Sequence, residues 1–197
     1  MFRLPNTITV LRILLVPFFA LAFMLPDETG RLASFAIFCV AGISDALDGL
    51  AARKLGASSE FGRMLDPIAD KILVAVALVM LVAHHVIAGL ELVPALVILA
   101  REILVSGLRE FLATVSVSVP VTRVAKMKTV LQMISIGAMI LGPSADKIRP
   151  GAINLAYALL WIAAALTGYT GYAYLRAGVT YVRPDRAAPQ TQPGGPV

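Results

Sequence analysis

Six long apolar stretches alternate with short polar breaks along the chain. They occupy about residues 6–25, 31–53, 62–84, 91–115, 126–141 and 152–175. Glycine, proline, serine and aspartate collect in the intervals between them, and these residues favour turns. Runs of about 20 apolar residues without strict alternation predict helices that cross a bilayer, not strands of a barrel. The pattern therefore predicts an all-α, polytopic membrane protein with six transmembrane helices.

Composition supports the same class. The 197 residues are 58% hydrophobic and only 15% charged, whereas a soluble domain usually has about 45–50% apolar and about 25% charged residues. This excludes an ordinary soluble domain and a disordered chain. Cys39 is the single cysteine, which excludes an internal disulfide and a zinc site built from cysteines. The net charge of +5 does not indicate nucleic-acid binding, because the basic residues lie between apolar segments.

The placement of lysine and arginine predicts the orientation in the membrane. If the N-terminus is cytoplasmic, six crossings leave only Arg31, Lys147 and Arg149 on the outer side. All other basic residues then fall on the cytoplasmic side, as the positive-inside rule requires. We therefore expect both termini in the cytoplasm. Residues 183–197 are rich in proline, glutamine and glycine, and we expect them to form a disordered tail without chemistry.

Four aspartates lie where the second and third apolar segments approach each other. Asp45 and Asp48 are three residues apart and share one face of the second helix, while Asp66 and Asp70 are four apart and share one face of the third. A link of about eight residues would make these helices antiparallel neighbours. The four carboxylates are then expected to converge at the cytoplasmic interface.

The negative charge of such a cluster of carboxylates must be neutralised. Four unpaired negative charges near hydrocarbon are costly unless they take up protons or bind cations. Two divalent ions would cancel them, and ligands that are all oxygen favour Mg²⁺ or Mn²⁺. A pair of such ions can clamp a phosphate that is being displaced. The alternative, a solvated acidic helix end with local salt bridges, explains neither the facing stripes nor Gly49 and Gly62 beside them, where a ligand could approach closely.

Eight positions around these aspartates have fixed spacing. They are Asp45, Asp48, Gly49, Ala52, Arg53, Gly62, Asp66 and Asp70. The set resembles the CDP-alcohol phosphatidyltransferase family, whose pattern Asp-x2-Asp-Gly-x2-Ala-Arg-x8-Gly-x3-Asp-x3-Asp is met at every spacing. Residues 4–12, 101–110 and 126–129 are also similar to bacterial members of the family that use glycerol 3-phosphate. The resemblance covers about residues 4–142.

The resemblance implies a reaction and its setting. CDP-diacylglycerol would transfer its phosphatidyl group to sn-glycerol 3-phosphate, giving phosphatidylglycerophosphate and CMP. Inositol phosphate, inositol or serine stay open as acceptors, because the motif alone does not separate them. The resemblance also implies a family domain at residues 1–182, a bacterial inner (plasma) membrane location and a homodimer. No nucleic-acid partner is expected.

Roles for individual residues follow from the family. The two metal ions, Mg²⁺ or Mn²⁺, would be held by Asp45, Asp48, Asp66 and Asp70, and Asp70 would also be the catalytic base. CDP-diacylglycerol would be bound by Gly49, Ala52, Arg53 and Gly62, with Asn6 and Thr9 closing the pocket from the first helix.

The acceptor carries its own phosphate and therefore requires a second cationic site. The candidates are Arg101, Arg109, Lys126 and Lys128. Lys126 and Lys128 begin the fifth helix, whose free N–H groups also favour an anion, and Arg101 is a charge within a predicted membrane helix. The alternative is ordinary positive-inside charge with snorkelling side chains.

A carboxylate-site ion transporter is the main rival class. Such carriers usually place the site near the midplane on broken helices in repeated halves, but here the acids lie at a helix boundary and no internal repeat is seen.

Overall fold

The computed structural model is built from helices throughout the residues that it describes. It describes residues 4–55, 60–114 and 123–182, and within them the side chains of residues 9–44, 65, 68–69, 71–114, 124, 127–142 and 144–176. The elements are α1 (Leu4–Phe23), α2 (Asp27–Leu55), α3 (Glu60–Ala83), a 3₁₀ turn (Gly89–Glu91), α4 (Leu92–Thr114), α5 (Arg123–Leu141), α6 (Pro143–Ile148) and α7 (Ala152–Val182). The all-α class is confirmed for this part of the chain. The tail predicted at residues 183–197 lies outside it.

The six predicted segments correspond to α1–α5 and α7, but several details differ from the prediction. The helix α5 begins at Arg123, so Lys128 lies beyond the first turn, whose free N–H groups were expected to favour an anion. Residues 56–59 join α2 to α3, which is a shorter link than expected because both helices extend further. The short helix α6 was not predicted, since its flanking glycines and prolines indicate a break. Gly142 and Gly151 do turn the chain there, with φ of +56° and +81°, values that suit glycine because it has no Cβ.

Helix packing places α7 at the centre of one half of the bundle and α1 at the centre of the other. The last helix, α7, packs against α4 and α5, while α1 packs against α2 and α3, and α2 contacts α5. The predicted contact between α2 and α3 is present. Fully buried apolar side chains from six helices fill the core: Phe19, Ala41, Leu81, Ile98, Ile140 and Leu160.

The helices differ in how well their length and apolar character suit membrane crossing. In the described part of the chain, Ala152–Arg176 within α7 is long and apolar enough to cross a membrane, with a mean hydropathy of 1.5. Shorter apolar stretches lie in α1, α3 and α5, at Thr9–Phe23, Lys71–Ala83 and Met127–Leu141. Charged residues interrupt α2 and α4. The helices therefore match the predicted six-span arrangement only in part.

Candidate active site

The acidic motif lies on two helices whose ends are joined by a short link. Asp45 and Asp48 belong to the last third of α2, which ends at Leu55, and Asp66 and Asp70 belong to the first half of α3, which begins at Glu60. The side chains of all four aspartates lie outside the described residues, and so do those of Gly49, Ala52, Arg53, Gly62, Asn6 and Lys126. Among the described side chains, no group of three or more His, Cys, Asp or Glu residues forms a metal site. The donor set itself, four carboxylates, suits Mg²⁺ or Mn²⁺.

The cations predicted to bind the acceptor phosphate are partly brought together. Lys128 of α5 and Arg101 of α4 converge on one carboxylate, that of Glu102. The Nζ of Lys128 donates a hydrogen bond to Glu102 Oε1, and Arg101 Nη1 lies 3.5 Å from the same oxygen. The side chain of Lys128 is only 5% exposed. Within this trio of described side chains two cations share one carboxylate, and excess positive charge out of water favours a further anion.

The other charged groups near this cluster connect it to α3 and to the end of α4. Lys71, which follows Asp70 directly, lies on α3, and this helix contacts both α4 and α5. Arg109 follows Arg101 by eight residues on α4 and is exposed. The basic cluster therefore lies beside the helix that carries half of the acidic motif.

The last helix contributes contacts that the sequence did not reveal. Arg101 Nη2 donates a hydrogen bond of 2.9 Å to Thr170 Oγ1 on α7. The next residue, Gly171, has no side chain where the stem of Arg101 crosses α7, and a Cβ there would lie 3.0 Å from Arg101 Cγ. A threonine and a glycine in an apolar helix were the only signal available in the sequence, and they do not identify the arginine as their partner.

A fully buried arginine was not among the predicted site residues. Arg12 of α1 is 1% exposed and is the charged residue among those lining an apolar cavity of about 680 Å³ between α2, α3 and α5. Thr9, predicted to close the nucleotide pocket, is buried one turn earlier on α1. Phe35, Phe38 and Met133 are among the apolar residues that line the cavity.

The cavity opens at the side of the bundle. Ile43, Val130 and Ile134 line it and are 60%, 57% and 53% exposed. Ile43 precedes Asp45 by two residues on α2, and Thr129, another lining residue, follows Lys128. One end of this apolar groove therefore lies near both the acidic motif and the basic cluster.

Known proteins match this chain along nearly its whole length. The sequence model of the family described as CDP-alcohol phosphatidyltransferase matches residues 2–169. Three similar proteins carry the name CDP-diacylglycerol–glycerol-3-phosphate 3-phosphatidyltransferase. The protein from Rickettsia typhi is 46% identical over 91% of this chain and 98% of its own length. The one from Pseudomonas fluorescens is 43% identical over 93% of each, and the one from Escherichia coli K12 is 39% identical over 89% of this chain and 94% of its own. The chain belongs to the CDP-alcohol phosphatidyltransferase family.

Proposed function

We propose that this protein transfers the phosphatidyl group of CDP-diacylglycerol to sn-glycerol 3-phosphate, forming phosphatidylglycerophosphate and CMP in phospholipid biosynthesis. The observation that carries the proposal is the match, along about nine tenths of the chain, to enzymes named for this reaction. The complete eight-position motif on α2 and α3 supports the shared chemistry. The basic cluster on α4 and α5 supports a phosphorylated acceptor.

The donor is a lipid, and the apolar groove between α2, α3 and α5 suits its acyl chains. The groove opens where exposed Ile43, Val130 and Ile134 would face the bilayer, so a chain could enter sideways without crossing water. Ile43, at this opening, precedes Asp45 by two residues on α2, which would bring the diphosphate of the donor to the acidic motif. Arg12, which lines the groove, adds a positive charge suited to the polar part of the lipid.

The acidic motif would bind the reacting phosphates. Asp45, Asp48, Asp66 and Asp70 would hold two Mg²⁺ or Mn²⁺ ions, which when bound neutralise the diphosphate and stabilise the charge on departing CMP. Gly49, Ala52, Arg53 and Gly62, with Asn6 and Thr9, would form the nucleotide pocket. Arg53 would contact a donor phosphate.

Asp70 would act as the general base. It takes the proton of the acceptor hydroxyl as that oxygen bonds to the phosphorus bearing the diacylglycerol, while the bond from this phosphorus to the CMP oxygen breaks. A base must lie within hydrogen-bond reach of the proton, and the contacts of α3 with α4 and α5 support a position of Asp70 near the helices that carry the acceptor cations. Arg101, Arg109, Lys126 and Lys128 would hold the acceptor phosphate and so orient its hydroxyl.

The setting we propose is a bacterial inner membrane, with six crossing helices in a domain of residues 1–182 and both termini cytoplasmic. Large apolar side chains on the outside of the bundle support it, since Phe18, Leu96 and Ile103 are all more than half exposed and such a surface is unfavourable in water. The active site then lies at the cytoplasmic interface, where water-soluble and lipid substrates both arrive. By the family resemblance, the functional unit is a homodimer.

Product analysis tests the function. Purified protein in mixed micelles receives CDP-diacylglycerol, Mg²⁺ or Mn²⁺, and in separate reactions glycerol 3-phosphate, inositol phosphate, inositol or serine. We expect phosphatidylglycerophosphate and CMP in equal amounts from glycerol 3-phosphate only. EDTA should stop the reaction until Mg²⁺ or Mn²⁺ is restored, and Asp66→Asn should nearly abolish turnover, because it removes a proposed metal ligand.

Each component of the proposal fails on a different result. A lipid product from another acceptor would replace glycerol 3-phosphate but keep the chemistry. Full activity in EDTA would contradict the two-metal site. Ion flux in proteoliposomes without any lipid synthesis would favour a carboxylate-site transporter instead.

A further inference from the structure

We infer that α7 completes the acceptor site: Thr170 and Gly171 position the guanidinium of Arg101, and Glu102 joins Arg101 and Lys128 into one anion-binding unit. The inference rests on the proposed function, because it concerns the phosphate of the acceptor. It adds three positioning residues to that site. Two of them lie beyond residue 169, where the match to the family model ends.

Glu102 gives the two cations a common anchor. Lys128 belongs to α5 and Arg101 to α4, and both approach the same carboxylate oxygen. Two buried cations at this distance would otherwise repel each other, and each would turn toward a different polar group. The carboxylate therefore holds them as a pair with a net charge of +1, directed at a third, anionic partner.

Thr170 fixes the orientation of the guanidinium. Its hydroxyl accepts a hydrogen bond from Arg101 Nη2 at 2.9 Å, while its own proton can be donated to the carbonyl of Leu166 at 3.0 Å or of Thr167 at 3.1 Å. The threonine oxygen is thus held by α7 and presented as an acceptor to the arginine. One of the five N–H donors of a guanidinium is used in this way, and the planar group can no longer rotate freely.

Gly171 provides the space in which the arginine lies. A Cβ at this position would be 3.0 Å from Arg101 Cγ and 3.6 Å from its Nε. The first distance is too short for unstrained packing, so alanine here would push the arginine stem away from α7. The Nε is buried and has no hydrogen-bond partner in the described part of the chain, which indicates a guanidinium not fully satisfied by the described side chains.

A matched pair of threonines makes the inference testable. Thr170 and Thr167 lie on the same helix and are 4% and 0% exposed, but the hydroxyl of Thr167 has no hydrogen-bond partner in the described part of the chain. Valine has nearly the shape of threonine and lacks the hydroxyl. Thr170→Val removes the contact with Arg101, and Thr167→Val makes the same chemical change without touching it.

The experiment is a two-substrate titration of wild type, Thr170→Val, Thr170→Ser and Thr167→Val in mixed micelles. We expect Thr170→Val to raise the KM for glycerol 3-phosphate roughly tenfold, the lower end for loss of a hydrogen bond to a charged group. The KM for CDP-diacylglycerol should not change. Thr170→Ser should restore the acceptor KM, and Thr167→Val should match wild type. Gly171→Ala should act like Thr170→Val.

Glu102→Gln separates positioning from simple charge. The substitution removes a negative charge near the acceptor phosphate, so a purely electrostatic role predicts a lower acceptor KM. Positioning predicts a kcat/KM for glycerol 3-phosphate that falls at least tenfold, because Lys128 and Arg101 lose their common anchor.

The outcomes distinguish this inference from the function on which it rests. If wild type makes no lipid from glycerol 3-phosphate, both are overturned. If wild type is active but Thr170→Val keeps its acceptor KM, or raises the donor KM equally, the inference alone is overturned and the contacts of α7 serve only helix packing.

Discussion

Glu28 and Glu102 each form an ion pair with a lysine that is distant in sequence, but the surroundings of the two pairs differ. Glu102 and its partner Lys128 have side chains that are 19% and 5% exposed, whereas Glu28 and Lys147 are 54% and 69% exposed. The first pair lies near the start of α5, and the second lies beyond its other end, where Lys147 is on α6. The same two residue types therefore form a buried ion cluster at one end of the bundle and a solvated ion pair at the other.

The difference shows why an ion pair alone says little about function. Water screens exposed pairs, which contribute little to stability. Charges taken out of water lose hydration, and apolar residues of similar size often stabilise a fold at least as well. A protein that only needed α4, α5 and α7 to pack together would gain nothing from Arg101, Glu102 and Lys128. The anionic ligand that we propose would give the buried cluster a role that helix packing does not require.

The largest effect on stability is expected from Glu102→Ala. The substitution leaves Lys128 and Arg101 buried without their shared counter-charge, and breaking a buried pair from one side typically costs about 3–5 kcal/mol. The measurement is the free energy of unfolding in detergent, compared between wild type, Glu102→Ala and the matched variant Glu28→Ala. Glu28→Ala should be close to wild type. Equal shifts for the two variants would contradict the distinction between the clusters.

The sequence predicted one part of this picture and could not predict the other. Long apolar runs identify the six main helices because the periodicity is local. Arg101, within such a run, and Lys128, near the start of another, were predicted to bind the acceptor phosphate, and this role stays a prediction. Their shared partner could not be identified, because contacts spanning 26 residues from Lys128 to Glu102 and 69 from Arg101 to Thr170 depend on how α4, α5 and α7 pack. The helix α6 was missed because of a local signal. Gly142 and Pro143 predict a break in the chain, although six residues of helix begin at Pro143.

The acidic motif shows what sequence spacing can establish by itself. Asp45 and Asp48 on α2, with Asp66 and Asp70 on α3, were placed on neighbouring helices by periodicity and a short link, and these helices are in contact. The use of their carboxylates as metal ligands stays a prediction, because it depends on side chains outside the described residues.

Double-mutant cycles should give a smaller free-energy difference, but they measure the interaction between the two residues directly. We expect Glu102 and Lys128 to show a coupling free energy of about 1–3 kcal/mol, because contacting residues in one network are not additive. The variants Glu102→Gln, Lys128→Met and their combination give this value from unfolding in detergent. The parallel cycle with Glu28→Gln and Lys147→Met should show a clearly smaller coupling, because water screens the exposed pair. Similar values from both cycles would mean that burial does not distinguish them.

The smallest effect is expected from the pH dependence of the exposed pair. Glu28 lies outside the apolar segment of α2, and its pKa is lowered by the hydrogen bond from Lys147, by the charge of that lysine and by the hydrogen bond from Ser144. A carboxyl whose folded-state pKa is depressed stabilises the fold above its unfolded-state pKa and loses that contribution as the pH falls through the folded-state pKa. The Tm of wild type in detergent should therefore exceed that of Glu28→Gln slightly at neutral pH, and the two should converge in the acid range below the ordinary glutamate value. High salt should reduce the difference further. A gap that persists at acid pH, or that widens with salt, would mean that Glu28 acts through packing and not through its charge, and the contrast with Glu102 would then need another cause.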